Sequence, residues 1–240
     1  MELKLLPRPD FLEFTLPQEY ISLLTDDGSP ITTKLAQLLI NQGLKVVVLS
    51  FPQSLFHQQP LPQNINRIML ENLSEEHLQE KLSEITKNYG TVSTFIHLHP
   101  RLLTSNNEEI TYLKEEKAIV KHIFLIAKYL KQPLKNAANF GRSCFCTVTR
   151  LDGAFGLSGK GNFNAIGGSL FGLTKSLKWE WQNVFCRAID LNPVIDDKQS
   201  INHIIAELHD PNIYITEVAY SSKGRKTLIS TADSKHLLGF

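Results

Sequence analysis

The stretch ISLLTDDGSPITTKLAQLL, residues 21–39, contains the pattern that decides the fold. Its apolar start predicts a strand over 20–25. Polar residues with one glycine and one proline follow, and they predict a turn. Apolar residues then recur at helical spacing over 32–43, where Gly43 is placed to end the helix. This order of strand, turn and helix predicts one unit of a parallel α/β sheet.

The rest of the chain repeats this alternation of short apolar runs and helical patterns. The sequence predicts strands at 45–51, 67–70, 94–99, 143–149, 184–191, 213–220 and 225–230, and helices at 74–90, 108–131, 163–181 and 197–208. Such alternation predicts an α/β fold: a Rossmann-like, doubly wound parallel sheet with helices on both faces.

Length and composition limit the class of protein. The 240 residues, 42% of them apolar and 20% charged, suit one globular domain. We expect residues 1–18, which carry three prolines, to form an extended N-terminal arm or linker, and residues 19–240 to form a single domain. The net charge of +1 gives no overall field for nucleic acid or an anionic membrane, and neither partner is expected.

The cysteines and the apolar runs bear on the environment of the protein. Cys144, Cys146 and Cys186 have no framework spacing, so we expect reduced thiols packed in the core and a cytoplasmic location. No apolar run reaches the roughly 18 residues that a membrane span needs.

Several segments resemble a known family. GNFNAIGGSLFGLTKSLKWEW (161–181) resembles the active-site helix of short-chain dehydrogenases and reductases, and VFCRAIDLNP (184–193) and FIHLHP (95–100) resemble neighbouring strands of that family. More narrowly, TRLDGAFGL (149–157), GLTKSLKWEW and FCRAIDL resemble the ketoreductase region of polyketide and polyunsaturated fatty acid synthases. The resemblance implies two Rossmann-like halves, one that binds NADPH and reduces, and one degenerate and structural. This chain is most similar to the degenerate half.

The resemblance also implies positions for four catalytic side chains. Family members use a Tyr that donates a proton, a Lys four residues later, a Ser thirteen residues earlier, and an Asn on the central helix. Here Phe163 stands at the Tyr position and Gly167 at the Lys position, while Arg150 and Ile119 stand at the Ser and Asn positions. General acid catalysis by these residues is not available, and we expect no catalytic residue in the chain. The alternative exchange of Lys and Asn known in synthase ketoreductases would still need the Tyr.

The turn after the first predicted strand lacks most of the family's cofactor-binding glycines. Members carry T-G-x-x-x-G-x-G there, whereas this chain has Thr25, Asp26, Asp27, Gly28, Ser29, Pro30, Ile31 and Thr32. Pro30 lacks an N–H, and two aspartates stand beside the place of a diphosphate. We therefore expect no bound cofactor, with NADPH as the cofactor if the chain is a reductase. Helix capping by Asp27 or Ser29 is favoured over metal binding, and no metal site is expected.

Two further groups of polar residues could form a binding site or could simply be satisfied within the fold. His97 and His99 alternate on one predicted strand, and satisfied, partly buried histidines are favoured over metal ligands. Arg150, Asp152 and Lys160 follow the strand at 143–149; they predict either an ordinary ion pair at the base of a loop or, less favoured, a site for an anion.

The predicted helix 163–181 has apolar residues on more than one side. Ile166, Leu170, Leu173 and Leu177 form a stripe for the sheet, whereas Phe171, Gly172, Trp179 and Trp181 lie partly off it. These four are the candidate interface residues, and burial within the domain core is the alternative.

Three functions remain open from the sequence. The favoured one is a non-catalytic, structural ketoreductase-like domain that packs against a catalytic ketoreductase half of a synthase. The first alternative is an NADPH-dependent β-ketoacyl reductase with atypical residues. The second alternative is a module that binds an acyl carrier protein or a small ligand in the former cleft.

Overall fold

The computed structural model describes residues 1–14, 19–100, 114–159 and 165–230. The strands are β1 (Glu2–Leu5), β2 (Tyr20–Thr25), β3 (Lys45–Ser50), β4 (Asn66–Met69), β5 (Thr91–Leu98), β6 (Cys144–Thr149), β7 (Phe185–Leu191), β8 (Glu217–Ser221) and β9 (Gly224–Ile229). The helices are α1 (Pro30–Asn41), α2 (Glu75–Tyr89), α3 (Lys114–Ala137), α4 (Ser169–Glu180) and α5 (Asp197–His209), with a 3₁₀ turn at Ala165–Gly168 before α4.

The strands form one sheet in the order β1-β9-β8-β7-β6-β5-β2-β3-β4. Strands β2 to β8 are parallel to their neighbours in that group, and β9 is antiparallel to both β8 and β1. The predicted Rossmann-like, doubly wound α/β fold is thereby confirmed.

Helices cover both faces of the sheet. One core contains the inward side chains of α2, α3 and α4, and the other contains those of α1 and α5. The central strands are buried on both faces, which explains their near-continuous apolar sequences, such as Val46–Leu49 in β3. Cys144, Cys146 and Cys186 are buried free thiols, as expected.

The N-terminal segment contacts the domain at several places. Residues 2–5 are extended and pair with β9 as an edge strand. Further along, the Leu12 N–H donates to the His209 carbonyl at 2.8 Å, and Phe11 stacks on the His209 ring with centroids 4.4 Å apart. Backbone pairing and ring stacking thus attach this segment to the domain over most of its described length.

Two helices differ from their predicted bounds. Helix α3 continues to Ala137, six residues past the predicted end, and contains Pro133. The predicted helix 163–181 is a 3₁₀ turn followed by α4, with residues 163 and 164 outside the described ranges. In the described parts of the chain, no helix combines the length and apolar character needed to cross a membrane.

Four buried charged side chains join β7, α5 and β9, and we call them the charge cluster: Arg187, Glu207, Asp210 and Arg225. The Arg187 Nη2 donates to Asp210 Oδ2 at 3.0 Å, and its Nε lies 3.1 Å from Glu207 Oε2. The Arg225 Nε donates to Glu207 Oε1 at 2.6 Å. Two cations and two anions balance each other, which permits their burial in the fold.

Candidate functional site

The crevice in which a doubly wound sheet binds ligands lies between β2 and β5. The strand order reverses there, with β3 and β4 on one side and β6 to β8 on the other. The turn at residues 25–32 and the carboxyl end of β5 form its walls. These are the positions at which the sequence predicts a former nucleotide site.

The carboxylate of Asp27 occupies the amino end of α1. Its Oδ1 accepts the Ser29 N–H at 3.0 Å and the Ser29 and Thr32 hydroxyls at 2.8 Å each. Ser29 is the N-cap and accepts the Ile31 N–H at 3.2 Å, which confirms the predicted cap. Pro30 is the first residue of α1 and supplies no N–H. The chain's own carboxylate therefore takes donors that a diphosphate would need.

Asp26 is buried and its side chain contacts β3 and β4. Its Oδ2 accepts the Ser50 hydroxyl at 3.0 Å and lies 3.0 Å from Arg67 Nη2, while its Oδ1 accepts the Gly28 N–H at 2.9 Å. This corrects the expectation that both aspartates repel a diphosphate, because the Arg67 guanidinium balances the charge of Asp26. Ser50, at the end of the second strand of the Rossmann unit, is held by Asp26.

The loop after β3 covers the turn. Gly28 has a φ of +76°, and a Cβ at this position would lie 2.5 Å from the His57 carbonyl oxygen and 2.8 Å from the Phe56 ring. The Arg67 Nη2 fixes this loop by donating to the Gln59 carbonyl at 2.7 Å. Loop and turn are therefore in direct contact above β2 and β3, where the adenosine half of a dinucleotide would have to lie.

Among the described residues, one small cleft at the crevice has a volume of about 210 Å³. Its lining residues are Asp27, Ile31, Leu98, His99, Val148, Arg150, Leu191 and Ile204.

A chain of hydrogen bonds crosses the crevice from β2 to α3. Thr25 Oγ1 accepts the Leu98 N–H at 3.0 Å and lies 2.8 Å from His97 Nδ1. His97 Nε2 lies 3.1 Å from His99 Nδ1. His99 Nε2 lies 3.1 Å from Glu116 Oε1. With neutral imidazoles, every donor in this relay points toward the Glu116 carboxylate.

The relay leaves the two histidines no free nitrogen. Burial, with His99 and His122 nearby, lowers the pKa of His97 well below its usual value, so that His97 is neutral at neutral pH. Both nitrogens of His97 and of His99 have a polar neighbour within hydrogen-bonding distance. The prediction of satisfied histidines is confirmed.

The structure places the degenerate catalytic positions in different surroundings. Ile119 is fully buried in the core under α3. Arg150 is half-buried, and its Nη2 donates to the Ser200 hydroxyl at 3.2 Å. Phe163 and Lys160 lie outside the described residues. Neither Ile119 nor Arg150 can carry the proton-transfer role of the family residues, since one is apolar and the other is always charged.

Gly167, at the family's Lys position, contacts the carboxylate of Glu116. The Gly167 N–H donates to Glu116 Oε1 at 3.1 Å, and a Cβ on Gly167 would lie 3.4 Å from that oxygen and from the His99 ring. The Glu116 carboxylate therefore lies beside the backbone of the family's Lys position. Sequence reasoning missed Glu116, because it lies in the charged segment KEEK at the start of α3 and nothing in that segment marks one of its acids as buried.

Two carboxylates organise the loop after β6. Asp152 accepts the backbone N–H groups of residues 154, 156 and 158 at 2.7–2.9 Å, and Asp190 accepts those of residues 151, 154 and 155 at 2.8–3.1 Å. Burial raises the pKa of Asp190 to about 6. Burial opposes ionisation of Asp152, but the backbone donors lower its pKa overall. The sequence predicts that the Asp152 carboxylate forms an ion pair or an anion site with Arg150. In the structure it mainly accepts hydrogen bonds from the backbone of its own loop.

The four candidate interface residues divide into two pairs. Phe171 is buried against Leu151 and Phe155, and Trp181 is 1% exposed and packs edge-on against Phe145. These two are core residues of this domain, so that for them the structure has the predicted alternative, burial within the core, in place of an interface. Gly172 is exposed, and Trp179 is 84% exposed.

Metal ligation finds no support in this region. In the ranges that the structure describes, no group of three or more His, Cys, Asp or Glu side chains is arranged to hold an ion. The carboxylates of the crevice accept hydrogen bonds from the chain itself.

Comparisons with known proteins agree with this fold. The sequence matches no family model. It is 26% identical over 228 residues to a polyunsaturated fatty acid synthase subunit from Thraustochytrium sp., covering 92% of this chain and 8% of that protein. The chain therefore spans a small part of the curated relative it matches.

Solved structures with the same fold are enzymes of the short-chain type. One is a short chain dehydrogenase from Leptospira borgpetersenii with bound NAD⁺, with a TM-score of 0.64 and 11% identity, covering 84% of this chain and 91% of that one. Another is a 3-ketoacyl-(acyl-carrier-protein) reductase from Brucella melitensis complexed with NADH, with a TM-score of 0.57 and 17% identity, covering 73% and 76%. The chain is thus a relative of a polyunsaturated fatty acid synthase subunit, with the Rossmann-like fold of short-chain dehydrogenases and ketoacyl reductases.

Proposed function

We propose that the chain is a non-catalytic, structural ketoreductase-like domain of a fatty acid or polyketide synthase. Its function is to pack against a catalytic ketoreductase half and support it, without binding NADPH. The observation that carries this proposal is the Asp27 carboxylate at the amino end of α1, where it accepts an N–H and two hydroxyl groups. A diphosphate would have to displace this internal anion.

The rest of the crevice supports the same function. The loop around His57 lies against Gly28, and the Glu116 carboxylate lies beside Gly167. The first contact occupies space above the turn, and the second gives the family's Lys position a carboxylate neighbour in place of an ammonium side chain. The synthase relative is much longer than this chain, so that neighbouring domains are available to such a structural module.

The experiment is a calorimetric titration of the whole chain with NADPH, with NADH as a second ligand. We expect no saturable heat at cofactor concentrations up to about 1 mM, which places any binding below about 4 kcal/mol. The Brucella melitensis reductase, solved with NADH, is the positive control. Saturable binding, or NADPH oxidation with a β-ketoacyl thioester, would establish the reductase alternative.

The structural role has its own test. A separately produced catalytic ketoreductase segment of the same synthase is mixed with this chain, and their association is measured by sedimentation. We expect a complex, and higher thermal stability of the catalytic segment within it. Two independently sedimenting species would refute the supporting role. Stabilisation of the chain by an acyl-pantetheine but not by nucleotides would favour the ligand-binding alternative instead.

A further inference from the structure

The solvent side of α3 carries a regular stripe of basic residues. Five lysines and one phenylalanine, separated by three or four positions, are all exposed on one face of the helix. We call them the lysine face: Lys117, Lys121, Phe124, Lys128, Lys131 and Lys135. Eighteen residues of α-helix separate its ends, a length of about 27 Å.

The lysine face is a local concentration of charge in a nearly neutral chain. The net charge of the protein is only +1. Like charges at three- and four-residue spacing destabilise a helix slightly, so that the stability of α3 alone does not explain the pattern. Among the described residues, Lys128 lies 2.7 Å from Glu75 and Lys131 lies 3.6 Å from Glu180. The other three lysines have no salt-bridge partner within those ranges.

An exposed aromatic side chain lies among the lysines. Phe124, in the middle of the stripe, is 57% exposed. An exposed aromatic side chain within a charged surface is typical of protein interfaces, and it does not increase the solubility of the protein.

Charge decides which occupant this surface fits. A second copy of the chain, packed by two-fold symmetry, would bring the lysines of α3 against the same lysines. An anionic membrane or a nucleic acid would meet Glu75 and Glu180, which border the stripe on α2 and α4. An acidic helix carries the charge complementary to the lysines, and it is narrow enough to follow α3 without covering the bordering acids on α2 and α4.

We propose that the lysine face of α3 docks an acidic helix of another protein domain. Its lysines pair with the carboxylates of that helix, and Phe124 contacts the apolar side of the docked helix. This inference does not rest on the proposed function, because an active reductase could carry the same surface.

The test is fluorescence anisotropy with a labelled amphipathic peptide that carries Glu on its exposed face. A peptide with Gln at the same positions is the ligand control. We expect saturable binding of the Glu peptide to the whole chain, weakening about tenfold when the salt concentration is raised from about 50 to 300 mM. The Gln peptide binds more weakly at low salt.

Two charge-reversed variants with equal net charge locate the binding. Lys117→Glu, Lys121→Glu and Lys135→Glu together weaken peptide binding at least about tenfold. Lys45→Glu, Lys198→Glu and Lys223→Glu, also exposed but away from α3, leave it within about twofold. Circular dichroism checks that both variants fold.

Three results would overturn the proposal. They are no saturable binding of the Glu peptide, equal binding by the two variants, or stronger association with phosphatidylserine vesicles or duplex DNA than with the peptide. The last result would assign the lysine face to a polyanion of another class.

Discussion

The crevice at the ends of β2 and β5 and the charge cluster between β7 and β9 both bury ionised side chains. In the crevice, Asp26 and Asp27 accept hydrogen bonds in a region where other proteins of this fold hold a nucleotide. In the charge cluster, two arginines and two acids balance one another and connect the last strands with α5. The comparison teaches that this chain pairs its buried charges with its own side chains and backbone groups at both places.

The largest effect is expected for Arg187→Met. The substitution leaves Glu207 and Asp210 with Arg225 as their remaining cation, so that one buried negative charge is uncompensated. We expect the free energy of unfolding to fall by about 3–5 kcal/mol, measured by urea denaturation. The same substitution at exposed Arg8 should change it by less than about 0.5 kcal/mol. A loss below about 1 kcal/mol at Arg187 would mean that the charge cluster is not the main link between these strands.

The second effect is a pH dependence near the crevice. Burial lowers the pKa of His122 to about 4. The unfolded chain takes up this proton near pH 6.5 and the folded chain only near pH 4, so that stability falls on acidification across that window. His122 alone contributes a loss of about 3 kcal/mol between those limits.

Denaturant unfolding of His122→Phe at pH 7 and pH 4.5 measures this contribution. We expect the variant to lose less stability than the wild type over this interval, because it has no imidazole to protonate. His57→Phe, at an exposed position, is the matched control and should follow the wild type. Equal acid sensitivity of His122→Phe and the wild type would contradict the prediction.

The smallest effect is expected for Asp27→Ala. It removes the acceptor of one N–H and two hydroxyl groups at the start of α1, and should lower the free energy of unfolding by about 1 kcal/mol. Added sulfate should then stabilise the variant more than the wild type, because the helix terminus regains room for an external anion. Thermal unfolding with and without sulfate checks this, with exposed Asp10→Ala as control. Identical sulfate effects in the two proteins would show that Asp27 does not act as an internal anion.

Much of the fold follows from local sequence pattern. The strand at Tyr20–Thr25, the cap at Ser29 and the buried strand Lys45–Ser50 were predictable from hydrophobic runs and turn residues. The edge strand Glu2–Leu5 was not, because its four residues are all exposed and it is defined only by pairing with β9. Arg187, in the middle of a buried parallel strand, was a signal for the charge cluster, since a buried arginine requires carboxylate partners.

The sequence by itself determined the α/β class, the order of elements and the missing glycines, tyrosine and lysine of the family pattern, because these are properties of neighbouring residues. The tertiary structure alone decided which distant residues meet: Arg67 balances Asp26, His99 meets Glu116 beside Gly167, and five lysines share one exposed face of α3. Such pairings join residues that are far apart in the chain. Their energies depend on distance and burial, which only the folded arrangement fixes.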